Sequence, residues 1–181
     1  MPYVVVGLGN PGEEYANTRH NTGRMVVSAF LNAHADDDFI SKKKIKTIMP
    51  DTFMNNSGKA VAPLVKNPDN LIVVYDDFNL PIGSLRVSYN RSSGGHNGLQ
   101  SVIKYVKTEA FVRVRVGVAP LTPSGKIKVP HGEEAIEKFI LGEFKDAELK
   151  VLKKSIKKAV EAIDCIILES REKAMSVFNA Q

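Results

Sequence analysis

The sequence has few of the features that mark several large classes of protein. It contains no tryptophan and one cysteine, Cys165, among 181 residues. A single cysteine excludes an intramolecular disulfide, and its position in the apolar run CIIL predicts a packed thiol in a reducing compartment. No apolar run approaches the roughly 20 residues needed to cross a bilayer. Strand-like sequence begins at Tyr3 and leaves no room for a targeting peptide, so we expect a cytoplasmic protein with no membrane partner.

Internal repeats and low-complexity tracts are also missing. The length and the 43% content of hydrophobic residues therefore predict a single domain over residues 1–181. The formal net charge of +5 is a mild excess that suits a polyanionic partner. Two lysine clusters, at residues 42–44 and 153–158, are candidates for phosphate contact, although the second fits the solvated face of a helix.

The chain is organised around residues 4–23, VVVGLGNPGEEYANTRHNTG. Three valines predict a buried strand, which breaks at a series of glycines and one proline before an apolar helical pattern resumes at Met25. Ligands of open α/β sheets bind at the edge where such strands end. The break carries amide, phenol, guanidinium and imidazole groups, and we interpret it as the first wall of an active site. These groups belong to Asn10, Tyr15, Arg19, His20 and Asn21.

GLGNPG, residues 7–12, also matches the glycine fingerprint of dinucleotide-binding proteins. That fingerprint requires a helix that begins at its third glycine, because the helix N-terminus faces the pyrophosphate. The residues that follow Gly12 have no apolar face. Dinucleotide binding therefore remains a minor alternative.

The middle of the chain alternates between strand and helix patterns. After a helix that begins near Met25, short strands are expected at residues 39–40 and 45–49, and a further helix follows residue 57. LIVVY, residues 71–75, is the clearest buried strand, and its continuous apolar character predicts helices on both faces. We expect this strand to end at Asp76, on the same sheet edge as the first loop.

The second half of the chain gives a half-buried strand at residues 85–89 and a glycine-rich loop, RSSGGHNG, before a helix. FVRVRVGVA, residues 111–119, alternates strictly, so its valines are expected to face the core and Arg113, Arg115 and Gly117 to face outward. Residues 120–132 are expected to form a loop. Helices are expected from Asp146 onward and over residues 171–178.

The candidate chemistry comes from separate loops. The four histidines show no metal-binding spacing and no nucleophile elbow is present, so we expect no metal site and no serine or cysteine nucleophile. What remains is His20, the carboxylate of Asp76, and the amides of Asn10, Asn55 and Asn97. A neutral histidine can take a proton from water, a carboxylate can fix its tautomer, and amides can hold a carbonyl. This inventory indicates ester hydrolysis by activated water.

The chain resembles bacterial peptidyl-tRNA hydrolases. The resemblance rests on six motifs that occur in family order, with a similar helical tail. The motifs are VGLGNPGEEYANTRHNTG, TFMNNSGKAV, VVYDDFNLPIG, SSGGHNGLQSVI, FVRVRVGV and FILGEF. The resemblance implies a single α/β domain with a twisted, mixed, largely parallel sheet flanked by helices. It also implies a cytoplasmic monomer that cleaves the ester between a peptide and the terminal ribose of tRNA, without a cofactor.

The resemblance also implies a role for each motif residue. His20 would be the catalytic base, Asp76 would orient and polarise it, and Asn10 and Asn55 would help to place the ester and the peptide. Met54 would line the pocket.

Further implied roles concern binding. Asn97 would bind the peptide backbone and help to order the attacking water, and Tyr15 would lie near the 3′ end of the substrate. Arg115 matches a position associated with the 5′ phosphate of the tRNA.

The chain departs from the family pattern in three places. Ser88 stands where a basic residue is usual, and Arg86 or Arg91 is a candidate replacement. Asn79 stands where aspartate is common, and the stretch between His20 and Asn55 is shorter than is typical.

Two further alternatives remain open on the sequence alone. One is a non-catalytic RNA-binding relative that kept the fold, and the other is a nucleotide-dependent oxidoreductase that uses GLGNPG. The intact set of site residues favours the hydrolase.

Overall fold

A computed structural model of the protein describes residues 2–180 and shows a five-stranded sheet. The strands are β1 (Val4–Gly7), β2 (Lys46–Ile48), β3 (Leu71–Pro81), β4 (Leu85–Tyr89) and β5 (Val112–Ala119). Their spatial order is β2-β1-β3-β5-β4. All neighbouring pairs are parallel except β4 and β5, which are antiparallel. The expected mixed, largely parallel sheet is confirmed.

Helices cover both faces of the sheet. They are α1 (Thr22–Ala33), α2 (Phe39–Lys42), α3 (Ser57–Val61), α4 (Asn97–Val106), α5 (Glu133–Ile140), α6 (Asp146–Leu168) and α7 (Arg171–Asn179). Helices α1 and α6 share one apolar cluster with Val74 and Val114, whereas α3 and α4 share a second cluster with Val6 and Val73. None of these helices within residues 2–180 combines the length and apolar character needed to span a membrane.

Helix α1 approaches the sheet closely because glycines lie at the crossing. A Cβ atom on Gly23 would clash with the carbonyl oxygen of Val74 and would lie 2.6 Å from the amide nitrogen of Leu8. A Cβ on Gly7 would clash with the carbonyl oxygen of Gly23. The start of α1, and with it the turn that carries His20, is therefore held against the ends of β1 and β3.

Two predicted elements differ in the structure. Residues 39–40, expected as a strand, begin the short helix α2. Strand β3 does not end at Asp76 but continues to Pro81. Its pairing with β1 ends at Gly7 and Val74, yet β5 continues to pair with it through Asp76 and Asp77. Asp76 therefore lies beyond the end of β1 on one side, while on the other side it still pairs with β5.

The expected outward orientation of Arg113 and Gly117 is wrong, because both are buried. The guanidinium of Arg113 donates to the carbonyl oxygens of Glu109 and Phe111, at 3.0 Å each, and to that of Arg91. A Cβ on Gly117 would clash with the carbonyl oxygen of Pro81. Backbone carbonyl oxygens thus accept hydrogen bonds from the charged guanidinium of Arg113, which the alternating pattern alone would place in solvent.

The C-terminal helix α7, confirmed at residues 171–179, closes one edge of the sheet. The side chain of Asn179 accepts a hydrogen bond from the amide of Val87 and donates one to its carbonyl oxygen, both at 2.8 Å. Arg86 also donates to the carbonyl oxygen of Asn179. The side chain of Asn179 thus makes the two hydrogen bonds with the backbone of Val87 that a neighbouring strand would make with the edge strand β4.

His34 joins the end of α1 to α6. Its Nδ1 lies 3.0 Å from a carboxylate oxygen of Asp37, and its Nε2 lies 3.0 Å from one of Asp164. The ring also stacks on Phe39. Desolvation lowers the pKa of His34, but the hydrogen bonds to Asp37 and Asp164 outweigh it, so the pKa is raised above its ordinary value. Two carboxylate partners require an N–H on both ring nitrogens, which is the protonated form.

We predict that His34→Asn lowers the free energy of unfolding at pH 6 by about 1 kcal/mol. The folded state binds the His34 proton more tightly than the unfolded state. This contribution is therefore fully present below the unfolded pKa and is lost as pH rises through the higher folded pKa. Urea unfolding of both proteins between pH 6 and pH 9 should show a gap that narrows with pH. A gap that widens would contradict the assignment, and His131→Asn, at an exposed position, provides the control.

Candidate active site

A cavity of about 600 Å³ lies at the carboxyl ends of the central strands and collects most of the predicted site residues. Six of the eight line it, namely Asn10, His20, Met54, Asn55, Asp76 and Asn97. Tyr15 and Arg115 do not line this cavity. Loops that are far apart in sequence meet here because β1 and β3 are adjacent and parallel.

The segment after the GLGNPG motif does not form the helix on which dinucleotide binding depends. Gly12 is followed by a single 3-10 turn, Glu13–Tyr15, and the first α-helix begins only at Thr22. The turn buries none of its residues. The pyrophosphate of a dinucleotide would therefore find no helix N-terminus at the third glycine.

His20 and Asp76 form a buried pair at the floor of the cavity. The Nδ1 atom of His20 lies 3.0 Å from both carboxylate oxygens of Asp76, and the two residues are 5% and 2% exposed. Burial raises the pKa of Asp76, but electrostatic attraction to His20 and His96 and the hydrogen bonds with them outweigh it and bring the pKa well below its ordinary value. An ionised Asp76 requires the proton on Nδ1 of His20. Nε2 is then the ring nitrogen with a free lone pair.

A second imidazole, His96, donates to the same carboxylate. Its Nε2 lies 3.0 Å from Oδ1 of Asp76, and its Nδ1 accepts the Leu99 amide at 3.2 Å as the N-cap of α4. Its ring centroid lies 4.9 Å from that of His20. These two bonds fix the His96 tautomer, so Asp76 receives an N–H from each side.

Asn10 is held in place on three sides. Asn21 accepts from the Asn10 amide at 2.8 Å and donates to its carbonyl oxygen at 2.9 Å. The side-chain oxygen of Asn10 accepts the Met54 amide at 2.9 Å. Its side-chain NH₂ is therefore the polar group of Asn10 that remains for a ligand, while its oxygen fixes the loop that carries Met54 and Asn55.

The rim of the cavity is more exposed than its floor. Asn55 and Asn97 are exposed, and the ring of Phe53 is exposed beside them. Tyr15 contacts Phe53 edge to face at 6.4 Å between ring centroids. Tyr15 thus lies next to the cavity through Phe53 without lining it.

Arg19 connects the His20 turn to the far wall of the cavity. Its guanidinium forms a salt bridge of 3.0 Å with Glu148, donates to the carbonyl oxygen of Phe139 at 3.3 Å and lies over the Phe139 ring. Its own amide donates to the carbonyl oxygen of Gly142 at 3.0 Å. The wall itself is α5, which has no buried residue and faces the cavity through Ile136, among others.

Arg115 lines a second pocket, of about 490 Å³, at the edge of the sheet formed by β4. It forms a two-point ion pair with Asp77, from Nε at 2.8 Å and from a terminal nitrogen at 2.7 Å. Arg86 lies opposite Arg115 in the β4–β5 ladder, and Ser88 and Arg91 also line the pocket. Successive strand residues face opposite sides, so Asp76 points to His20 while Asp77 points to Arg115.

The fold also creates a possible metal-binding set. His20, Asp76 and His96 each offer one ligand atom, and these three atoms lie within 4.8 Å of one another. The histidine spacing does not indicate such a set, because His96 reaches Asp76 only through the fold.

The sequence patterns likewise do not predict the contacts of Arg19 with Phe139 and Glu148, or helix α5. A signal for His96 is its place in GGHNG, directly before a helix start.

Comparison with known proteins gives consistent matches. The family model for peptidyl-tRNA hydrolase matches residues 4–181. The chain is 42% identical to a peptidyl-tRNA hydrolase of Pseudothermotoga lettingae, over 98% of this chain and 96% of that protein. It is 40% identical to that of Aquifex aeolicus, with the same coverage. The crystal structure of the peptidyl-tRNA hydrolase of Acinetobacter baumannii superposes with a TM-score of 0.83 at 26% identity, covering 98% of this chain and 94% of that one.

We predict that Asn21→Ala destabilises the protein by about 2–3 kcal/mol, because it leaves the buried amide and carbonyl groups of Asn10 without partners. Asn32→Ala, at an exposed position of α1, should change stability by no more than about 0.5 kcal/mol. Denaturant unfolding of both variants measures the difference. Equal effects at the two positions would show that the Asn10–Asn21 pair does not hold this loop.

Proposed function

The chain belongs to the peptidyl-tRNA hydrolase family, an enzyme family that acts on the ester bond of peptidyl-tRNA, and we propose that His20 and Asp76 carry out this hydrolysis. One observation supports the proposal above all. His20 lines the cavity and is bonded through Nδ1 to a buried, ionised carboxylate, so Nε2 is the ring nitrogen that remains to accept a proton. This is the arrangement that general-base activation of water requires.

In the proposed reaction, Nε2 of His20 takes a proton from water as the water oxygen attacks the ester carbonyl. Asp76 stabilises the imidazolium that forms and keeps the proton on Nδ1. Collapse of the tetrahedral intermediate breaks the bond to the ribose oxygen, which takes the proton from Nε2. The peptide carboxylic acid that forms loses its remaining proton to solvent, so the products are a peptide carboxylate and a free ribose hydroxyl. The reaction needs no cofactor, because a ribose hydroxyl leaves an ester without strong acid catalysis.

Amide groups complete the proposed site. The NH₂ group of Asn10, whose oxygen is engaged by the Met54 amide, is available to donate to the ester carbonyl and to the oxyanion that develops from it. Asn55, in the 3-10 turn Met54–Asn56, and Asn97, the first residue of α4, are exposed and line the cavity. Both would bind the peptide backbone, and Asn97 would also help to order the water. Met54 would pack against the peptide, and Tyr15, beside Phe53, would contact the 3′ end of the tRNA.

The second pocket is proposed to bind a tRNA phosphate. Asp77 engages Nε and one terminal nitrogen of Arg115, which leaves the other terminal nitrogen for an anion. Ser88 contributes no charge, but Arg86 faces Arg115 across the ladder and supplies a second guanidinium. Phosphate contacts of this type place an RNA without reading its sequence. We further propose that the protein acts as a cytoplasmic monomer.

For the chemical step, we predict that Asp76→Asn lowers kcat by about 10²–10⁴-fold while tRNA binding is retained. The amide no longer fixes the His20 tautomer or stabilises the imidazolium. His20→Ala should lower kcat to a similar extent. The measurement is single-turnover cleavage of an N-acylated aminoacyl-tRNA at saturating enzyme.

Asp77→Asn is the matched control for this experiment. It changes the neighbouring residue of the same strand, which faces Arg115 instead of His20, so kcat should stay within about fivefold of the parent. Full activity of His20→Ala would remove His20 from the mechanism. An inactive parent protein that still binds tRNA would favour the non-catalytic RNA-binding alternative.

For tRNA binding, we predict that Arg115→Ala weakens affinity by about 3- to 10-fold at low salt and reduces the slope of log K against log salt by about 1. Lys46→Ala removes the same charge from an exposed position of β2, the strand at the opposite edge of the sheet from β4, and should change neither quantity. Filter binding or fluorescence titration at several salt concentrations measures both. An unchanged slope for Arg115→Ala would contradict the phosphate contact.

A further inference from the structure

Three side chains bring possible metal-ligand atoms close together at the floor of the cavity. Nδ1 of His20 and Nε2 of His96 each lie 3.0 Å from Oδ1 of Asp76, and all three ligand atoms lie within 4.8 Å of one another. The side chains of His20, His96 and Asp76 are 7%, 8% and 1% exposed. We infer that these residues form a binding site for a divalent transition-metal ion such as Zn²⁺, and that the ion inhibits the enzyme.

The donor set suits this class of ion. Two imidazole nitrogens and one carboxylate oxygen form a common set of three protein ligands for zinc, with a fourth position left for water. Ligand atoms around a tetrahedral zinc ion are separated by about 3.3 Å, given bonds of about 2.0–2.1 Å. The two N···O separations of 3.0 Å are already close to this value. The adjoining cavity offers space for the fourth ligand.

The charge balance of the site also favours a cation. Asp76 is buried, and the guanidinium of Arg115 is paired with the adjacent Asp77 instead. Within residues 2–180, the groups that donate to the Asp76 carboxylate are the imidazole N–H groups of His20 and His96. A divalent ion would replace both hydrogen bonds with coordinate bonds to the same three residues. Mg²⁺ would not compete well, because it prefers oxygen ligands in octahedral geometry.

The second histidine–carboxylate cluster of the protein lacks this convergence. His34 meets Asp37 through Nδ1 and Asp164 through Nε2, which are on opposite sides of the ring. One ion cannot contact both carboxylates and the ring at once. His34 is therefore a matched control, since it has the same residue types in a geometry that cannot chelate.

Inhibition follows from the tautomer of His20 and rests on the proposed function. A metal ion on Nδ1 moves the proton of the neutral ring to Nε2, the nitrogen that must accept a proton from water. The ion also neutralises the Asp76 carboxylate. At His96 the proton moves to Nδ1, so the Leu99 amide loses its acceptor. This loss should keep the affinity in the micromolar range, below that of structural zinc sites.

The test uses the 181-residue protein without tRNA. Zn²⁺ is titrated by calorimetry, and Co²⁺ by the visible d–d absorption of the bound ion, into the parent, His96→Asn and His34→Asn. Asparagine is a good N-cap, so His96→Asn keeps the start of α4 while it removes the imidazole. We expect one ion per chain in the parent and in His34→Asn. Loss of a metal-coordinating residue should cost at least about 100-fold in affinity in His96→Asn.

Further measurements complete the test. Circular dichroism and thermal melting establish that His96→Asn is folded, and His20→Asn is a second variant that should lose binding to a similar extent. Nitrogen NMR of the histidines should show the proton of His20 on Nε2 after Zn²⁺ is added. Zn²⁺ should inhibit hydrolysis at the concentrations at which it binds, a chelator should restore activity, and Mg²⁺ should not inhibit.

The outcomes separate this proposal from the proposed function. Three results would overturn the metal site. They are equal Zn²⁺ affinity in the parent and His96→Asn, equal losses of Zn²⁺ affinity in His96→Asn and His34→Asn, and no Zn²⁺ binding by the parent in the micromolar range. Stimulation by bound Zn²⁺ would overturn its inhibitory role. Metal binding in a protein without hydrolase activity would instead support the site and contradict the function.

Discussion

The structure of the active site depends on one buried negative charge. Asp76 is nearly inaccessible to water, and an ionised carboxylate in such a position is stable only with close partners. Its partners come from two different connections, the turn before α1 and the loop before α4. Each donates an imidazole N–H, so the carboxylate fixes the tautomers of both rings. A single charge thus determines the position of two loops and the chemical form of two histidines.

Strand β3 also carries a second carboxylate, that of Asp77, which holds Arg115. Asp76 and Asp77 are consecutive, and they point to opposite sides of the strand. Asp76 pairs with His20 in the cavity, and Asp77 pairs with Arg115 in the second pocket. The group proposed for ester chemistry and the group proposed for phosphate binding are therefore supported from adjacent positions of one rigid element.

The sheet and most of the helices could be predicted from the sequence, because apolar runs such as LIVVY at residues 71–75 are a local property of the chain. The loop position of His20 could be predicted in the same way, from the glycine-rich break after β1.

The roles of His96 and Arg19 could not be predicted, since each depends on a distant partner. His96 meets Asp76 across 20 residues of sequence, and Arg19 meets Glu148 across 129. Arg113 is placed wrongly by periodicity, because alternation cannot show that backbone carbonyls enclose a guanidinium. Local patterns therefore predict the elements and the loops, whereas the contacts that complete the site require the fold.

The pairing of Asn179 with Val87 has a consequence for the behaviour of the whole molecule. An uncovered edge strand can recruit a strand from another chain and so begin aggregation. Here an amide side chain occupies the Val87 donor and acceptor that such a strand would use. Asn179 therefore blocks the addition of a strand at Val87, and a chain that ended before residue 179 would leave this edge of the sheet open to intermolecular β-structure.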